Sequence, residues 1–237
     1  MVPPLPVCTT SISIYVLAIG LIRGEIGISY SLIGFGNINE EIMLVGQWPV
    51  SVNQYYEESW VPSILGSVDN VYYWGYMTNP DMDTFSWTKL LLEEGLNKNE
   101  FDDPAFAYAL SLGIFNLPKG KSSSVVEVVA EFLRGVYQYT CAELQRVVGS
   151  TELETTPIEF WFTVPAIWTE KATAATVRAA GLAGFGNRSR DLVFVVTEPE
   201  AAAVAVFDRF RRCSDPAVKV SKDVEQLKAV NYSNLTS

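Results

Sequence analysis

From Ser124 onward the apolar positions keep a helical period. Val125, Val129, Phe132, Val136 and Tyr137 recur on one stripe, and Ser124 with Glu127 has the spacing of a capping box. The pattern predicts an amphipathic helix to about Arg146, followed by a polar loop, "GSTELETTP". In "IEFWFTV" the period changes to two. Ile158, Phe160, Phe162 and Val164 share one face, Glu159, Trp161 and Thr163 the other, and Pro165 closes the strand. Thr169 then caps a second helix with Ala174, Val177 and Gly181 on one stripe, small enough to lie close against a sheet. Gly184 and Gly186 stop it. "LVFVV" is apolar on both faces, the pattern of a central parallel strand. Strand, helix, strand reads as a βαβ unit with a right-handed crossover. Thr197 and Glu200 repeat the capping-box spacing, with Pro199 in the first turn of a helix that ends near Arg212.

The earlier half is less periodic. "EIMLVGQW" predicts a short strand ending at Pro49, "SWVPSILG" an extended segment about Pro62, and "NVYYWGYM" a second, aromatic strand. "FSWTKLLLEEG" predicts a short helix stopped by Gly95. The run "SISIYVLAIGLI" is twelve apolar-rich residues. A bilayer span needs roughly 20, so a buried strand or helix is the first reading and an anchor the second. A signal peptide would carry a positive segment ahead of that run, and no Lys or Arg precedes Arg23.

Charge narrows the partners. The chain of 237 residues has 17 basic and 27 acidic side chains, a net charge of −10. Such a surface repels duplex nucleic acid and anionic membranes, so neither is an expected partner. The basic cluster Arg209, Arg211 and Arg212 falls at a helix end, where it complements the dipole. With no histidine in the chain, a histidine-based triad or a histidine-ligated zinc site is excluded. Cys8, Cys141 and Cys213 are odd in number and lack metal-ligand spacing, which points to a reducing, cytoplasmic setting.

The stretch "FTVPAIWTEKATAATVRAAGLAGF" followed by "VVTEPEAAAVAV" resembles the 70-kilodalton heat-shock chaperone family, in particular the divergent fungal Hsp70-like proteins of the actin-like ATPase superfamily. The family pattern is val-pro-ala, an alanine-rich helix ending in ala-gly, and asn-glu-pro-thr-ala-ala-ala. Here Glu198, Pro199 and Ala201 to Ala203 match, while Thr197 and Glu200 replace the asparagine and threonine. "QWP", "VPSILG", "VYYWGY" and "WTKLLLE" look like successive landmarks of the same lobe. The resemblance implies an incomplete actin-like (ribonuclease H-like) ATPase lobe, an α/β fold with a mixed sheet and flanking helices. It implies ATP and magnesium as cofactors, and client proteins or co-chaperones as partners. By position, Glu198 would organise the attacking water and the metal shell, and Lys89 would reach toward the γ-phosphate. The family's first phosphate loop reads asp-x-gly-thr-thr. "PVCTTS" keeps Thr9 and Thr10 as nucleotide-binding candidates, with Cys8 at the glycine position and Pro6 at the aspartate. The second loop, asp-x-gly-gly-gly-thr, has no counterpart after the alanine-rich helix.

This divides the chain into a divergent apolar segment (1–38), a partial nucleotide-binding lobe (39–212) and a polar tail (213–237). Three readings remain open: an Hsp70-like ATPase module acting as chaperone or switch, a degenerate, non-catalytic remnant or scaffold, and a membrane-anchored binding module that rests only on the amino-terminal apolar run. A plain role is available to Glu198, since an acidic residue in a first helical turn stabilises it by about 0.3–1 kcal/mol.

Overall fold

The computed structural model describes residues 13–22, 24–33, 42–51, 53–69, 71–86, 92–93 and 124–212. Eleven strands and four α-helices lie within them: β1 (Ser13–Ile22), β2 (Glu25–Ile33), β3 (Met43–Leu44), β4 (Gln47–Ser51), β5 (Gln54–Glu57), β6 (Val61–Pro62), β7 (Ile64–Val68), β8 (Val71–Trp74), β9 (Asp83–Ser86), α1 (Val125–Val148), α2 (Ser150–Thr155), β10 (Ile158–Val164), α3 (Glu170–Ala183), β11 (Leu192–Thr197) and α4 (Glu198–Arg212). The fold is mixed α/β. Its main sheet has the order β11-β10-β1-β2-β3, with β6 added beside β2. β1 runs antiparallel to β2 and parallel to β10, and β10 is parallel to β11. A two-stranded sheet, β4-β5, and a three-stranded one, β8-β7-β9, make up the rest. The apolar run near the amino terminus is therefore a strand at the middle of the sheet. Residues 1–38, set apart by composition, supply β1 and β2 to the sheet that 39–212 completes.

Helix α1 begins where the capping box lies. The Glu127 N–H donates to the Ser124 hydroxyl (3.3 Å), and the Ser124 N–H donates to the Glu127 carboxylate (2.6 Å). Its inner stripe, Val129, Phe132, Leu133 and Val136, is buried. Two aromatic clusters hold it. Phe132 and Tyr139 pack on Trp74, and Tyr139 also meets Trp48, which is fully buried. One turn along the other side, Tyr137 meets Phe160 and Phe185, with Phe162 on the far side of Phe185. Gly135 faces the Trp74 indole so closely that a Cβ there would overlap the ring. At the end of α3, Gly184 takes φ +120°, a region that side chains avoid, and it also sits against Tyr137.

Several expectations change. The stretch after α1 is helical as α2, rather than a loop. The strand expected to end at Pro49 instead breaks after Leu44, and β4 runs through Pro49; a proline is tolerated there because β4 pairs on one side only. Phe85 and Ser86, expected to open a helix, belong to β9. Helix α3 is turned relative to the expected stripe. Ala172, Thr176, Ala179, Ala180 and Ala183 are buried, whereas Ala174 and Val177 face outward and Gly181 is only partly covered. The cause is its neighbour: α3 packs on α1, and alanines at the contact let the two backbones approach. β11 is parallel as expected but lies at the sheet edge, not the centre. Its two apolar faces have separate partners: Val193 and Val195 pack on the core, and Phe194 stacks on Trp161 at 4.5 Å on the opposite face.

Candidate functional site at the carboxyl ends of the parallel strands

Because β1, β10 and β11 are parallel, their carboxyl ends gather at one end of the sheet. In open α/β sheets this is where ligands bind, since the loops that leave the strands can diverge without breaking the ladder. Three short segments meet that end. After β1 comes a turn into β2 that includes Gly24 (φ +80°), whose carbonyl accepts the Ser63 N–H at 2.6 Å. After β10 comes Pro165, whose carbonyl accepts the Trp168 N–H at 3.1 Å. After β11 comes Glu198, half-buried and the first residue of α4.

The sequence explains why α4 starts there. The Thr197 N–H and hydroxyl donate to one Glu200 carboxylate oxygen at 3.0 and 2.7 Å, and the Glu200 N–H donates back to the Thr197 hydroxyl at 3.4 Å. These bonds, the hydroxyl first and then the amide, hold the Glu200 carboxyl below its ordinary range. α3 is capped in two ways. The Thr169 hydroxyl accepts the Ala172 N–H at 3.2 Å, and Glu93 accepts the Thr169 N–H at 2.9 Å and its hydroxyl at 3.0 Å. Glu93 lies 76 positions away, and nothing in the run Glu93-Glu94 signalled this partnership.

The helix amino termini at this end thus carry carboxylates of the protein's own. That decides what chemistry fits. A bare phosphate would meet Glu93 at α3 and Glu198 and Glu200 at α4, so neither helix end suits it. Glu198 supplies a single hard carboxylate oxygen donor group at the end of β11. Glu200 is occupied with Thr197. Lys89, Thr9 and Thr10 lie outside the described residues, so Glu198 is the one sequence-predicted site residue placed here. Among the described residues no group of three His, Cys, Asp or Glu is arranged to hold a metal ion.

A second polar cluster lies at the amino ends of β10 and β11. Asp191, buried, accepts from Arg188 at 2.6 and 2.8 Å and from the Ile158 N–H at 3.1 Å. Arg188 also donates to the carbonyls of Leu153 and Thr156, and the Asp191 carboxylate holds its guanidinium above the ordinary range. Beside it a cavity of about 230 Å³ is lined by Glu154, Thr155, Thr156, Arg188, Ser189 and Arg190. Four Arg188 N–H groups donate within the protein, and Arg190 donates to the Thr155 carbonyl at 2.9 Å. The cluster fastens β10 to the loop before β11.

Among the described residues no helix is long and apolar enough to cross a membrane. No protein-family model and no curated protein sequence matches the chain.

Proposed function

We propose that the chain is a nucleotide-binding module of Hsp70-like descent, an actin-fold ATPase lobe that grips ATP with magnesium at the carboxyl ends of β1, β10 and β11. The observation that carries this reading is the placement of Glu198. It follows the last parallel strand of a mixed sheet, β11-β10-β1-β2-β3, in which antiparallel strands join two parallel ones, and this arrangement supports the reading. The βαβ unit of β10, α3 and β11 carries the residues of the resemblance and delivers that carboxylate to the strand ends.

Magnesium, when bound, would offset the charge of the triphosphate and order water around it. Glu198 would hold that water or the metal shell. The capping box of Thr197 and Glu200 fixes the helix start and therefore the position of Glu198. Glu93 would do the same for the Pro165 turn by tying down Thr169. Because the helix amino termini already bear carboxylates, the phosphates would approach through the metal rather than through helix ends. A cytoplasmic chaperone or switch role, with client proteins or co-chaperones, accompanies this reading.

A non-catalytic scaffold is the second reading. It is favoured by Pro6 and Cys8 at positions where a phosphate loop needs aspartate and glycine, because a Cβ there obstructs the approach of backbone amides to phosphate. Isothermal titration of the purified chain with ATP and magnesium separates the two. The nucleotide reading expects micromolar binding that Glu198→Gln weakens about tenfold or more with magnesium and barely without it. Absence of binding at millimolar ATP would leave the scaffold.

A further inference from the structure

The strand β5 has four exposed residues, Gln54, Tyr55, Tyr56 and Glu57, and pairs only with β4 among the described residues. Tyr55 and Tyr56 are 57% and 49% exposed, which is unusual for two aromatics on an unpaired strand edge. An edge of this kind invites an extended segment of another chain, which would complete its backbone hydrogen bonds. What such a segment carries is decided by charge. Between Arg23 and Lys89 the sequence has no basic residue and eight acidic ones: Glu25, Glu40, Glu41, Glu57, Glu58, Asp69, Asp81 and Asp83.

The local geometry sharpens this. Tyr56 and Glu58 are two apart and extend from the same side of the chain. The Tyr56 ring lies 4.7 Å from that of Tyr76, whose hydroxyl donates to the Trp60 carbonyl at 3.1 Å. Burial, and then the charges of Glu58 and Glu25, raise the Tyr76 phenol above its ordinary range; Glu25 opens β2 opposite Pro62, two residues past the Trp60 carbonyl that this phenol holds. Glu25 and Glu58 are exposed. The positive charge that α1 brings near this hairpin, Arg146, is paired with Glu143 at 2.7 Å. Ring faces beside carboxylates that have no ion pair among the described residues attract an ammonium or guanidinium group twice over, through the ring quadrupole and through charge.

We propose that the β5 edge is a docking site for an extended, lysine- or arginine-bearing segment of a partner protein. The segment pairs with β5 through its backbone and sets a cationic side chain against Tyr56 and Tyr76, between Glu25 and Glu58. β5 is not among the strands whose ends hold Glu198, so peptide binding and nucleotide binding are read by different measurements.

The test is fluorescence anisotropy with a labelled short peptide alternating lysine and threonine, against its glutamate counterpart, at low and moderate salt. The lysine peptide binds and the glutamate peptide does not. Glu25→Gln with Glu58→Gln weakens binding about three- to tenfold, and Tyr56→Leu about two- to fivefold. Asp81→Asn with Asp83→Asn removes the same charge from another sheet and leaves binding unchanged; circular dichroism checks that each variant stays folded. Failure of the lysine peptide to bind overturns the proposal. So does equal weakening by the two charge-removing pairs, which would mean diffuse attraction, or equally tight binding of spermine, which has the charge but no backbone to pair.

Discussion

A single missing methyl group holds α1 against its neighbours. Gly135 sits mid-helix, where alanine ordinarily gains about 1 kcal/mol in propensity. Here a Cβ would enter the Trp74 indole, and overpacking costs about 1–3 kcal/mol. Gly135→Ala is therefore expected to lower stability in urea unfolding despite its better propensity; a rise would mean that Trp74 can step aside. Asp191 is the opposite case, a buried carboxylate whose partners are all in place. Asp191→Asn leaves Arg188 without its counter-charge, and breaking a buried pair costs about 3–5 kcal/mol. Unfolding midpoints should show that loss, with Arg190→Gln, on the exposed side of the same loop, costing far less.

At the level of elements, stability at the site depends on caps. Thr197→Ala removes the hydroxyl that both gives to and takes from Glu200, an expected loss of about 1 kcal/mol. The pH dependence has a fixed sign. Glu200 is held below its ordinary value of 4.5, so its stabilising effect is complete above that pH and fades as pH falls through the lowered value. Acid unfolding of the wild-type chain and of Glu200→Gln should converge below pH 4.5 and separate above it. The α4 cap was legible in the sequence because it is local: a hydroxyl and a carboxylate three residues apart. The same holds for α1, for the alternation of β10 and for the glycine stops after α3. The rest was hidden because it depends on distant partners. No local pattern pairs Glu93 with Thr169, Asp191 with the amino end of β10, or α3 with α1 rather than a sheet. On an alanine-rich helix the stripes 174/177/181 and 172/176/179 are nearly equal in polarity, so only the neighbour could choose between them. Glu198 was found through its resemblance, not its spacing; spacing alone made it a helix start.

Across the whole molecule, α1 joins the two aromatic clusters through Tyr137 and Tyr139. Burial pushes both phenols up to about 12 from an ordinary 10.0. The folded state prefers them uncharged, so their contribution is intact below pH 10 and is lost as pH climbs from 10 toward 12. Thermal midpoints should fall across that window, and Tyr137→Phe with Tyr139→Phe should flatten the fall. Absorbance at the phenolate band should show two tyrosines ionising late, together with unfolding. The strand order has a consequence for how the protein is made. Ile14 in β1 meets Ile158 in β10, 144 positions later, so the centre of the sheet waits unpaired on one side until β10 has been synthesised. At about 5–20 residues per second, that interval lasts on the order of ten seconds. During it an apolar strand has only its hairpin partner for cover, so the parallel half of the sheet is the late step in assembling this fold.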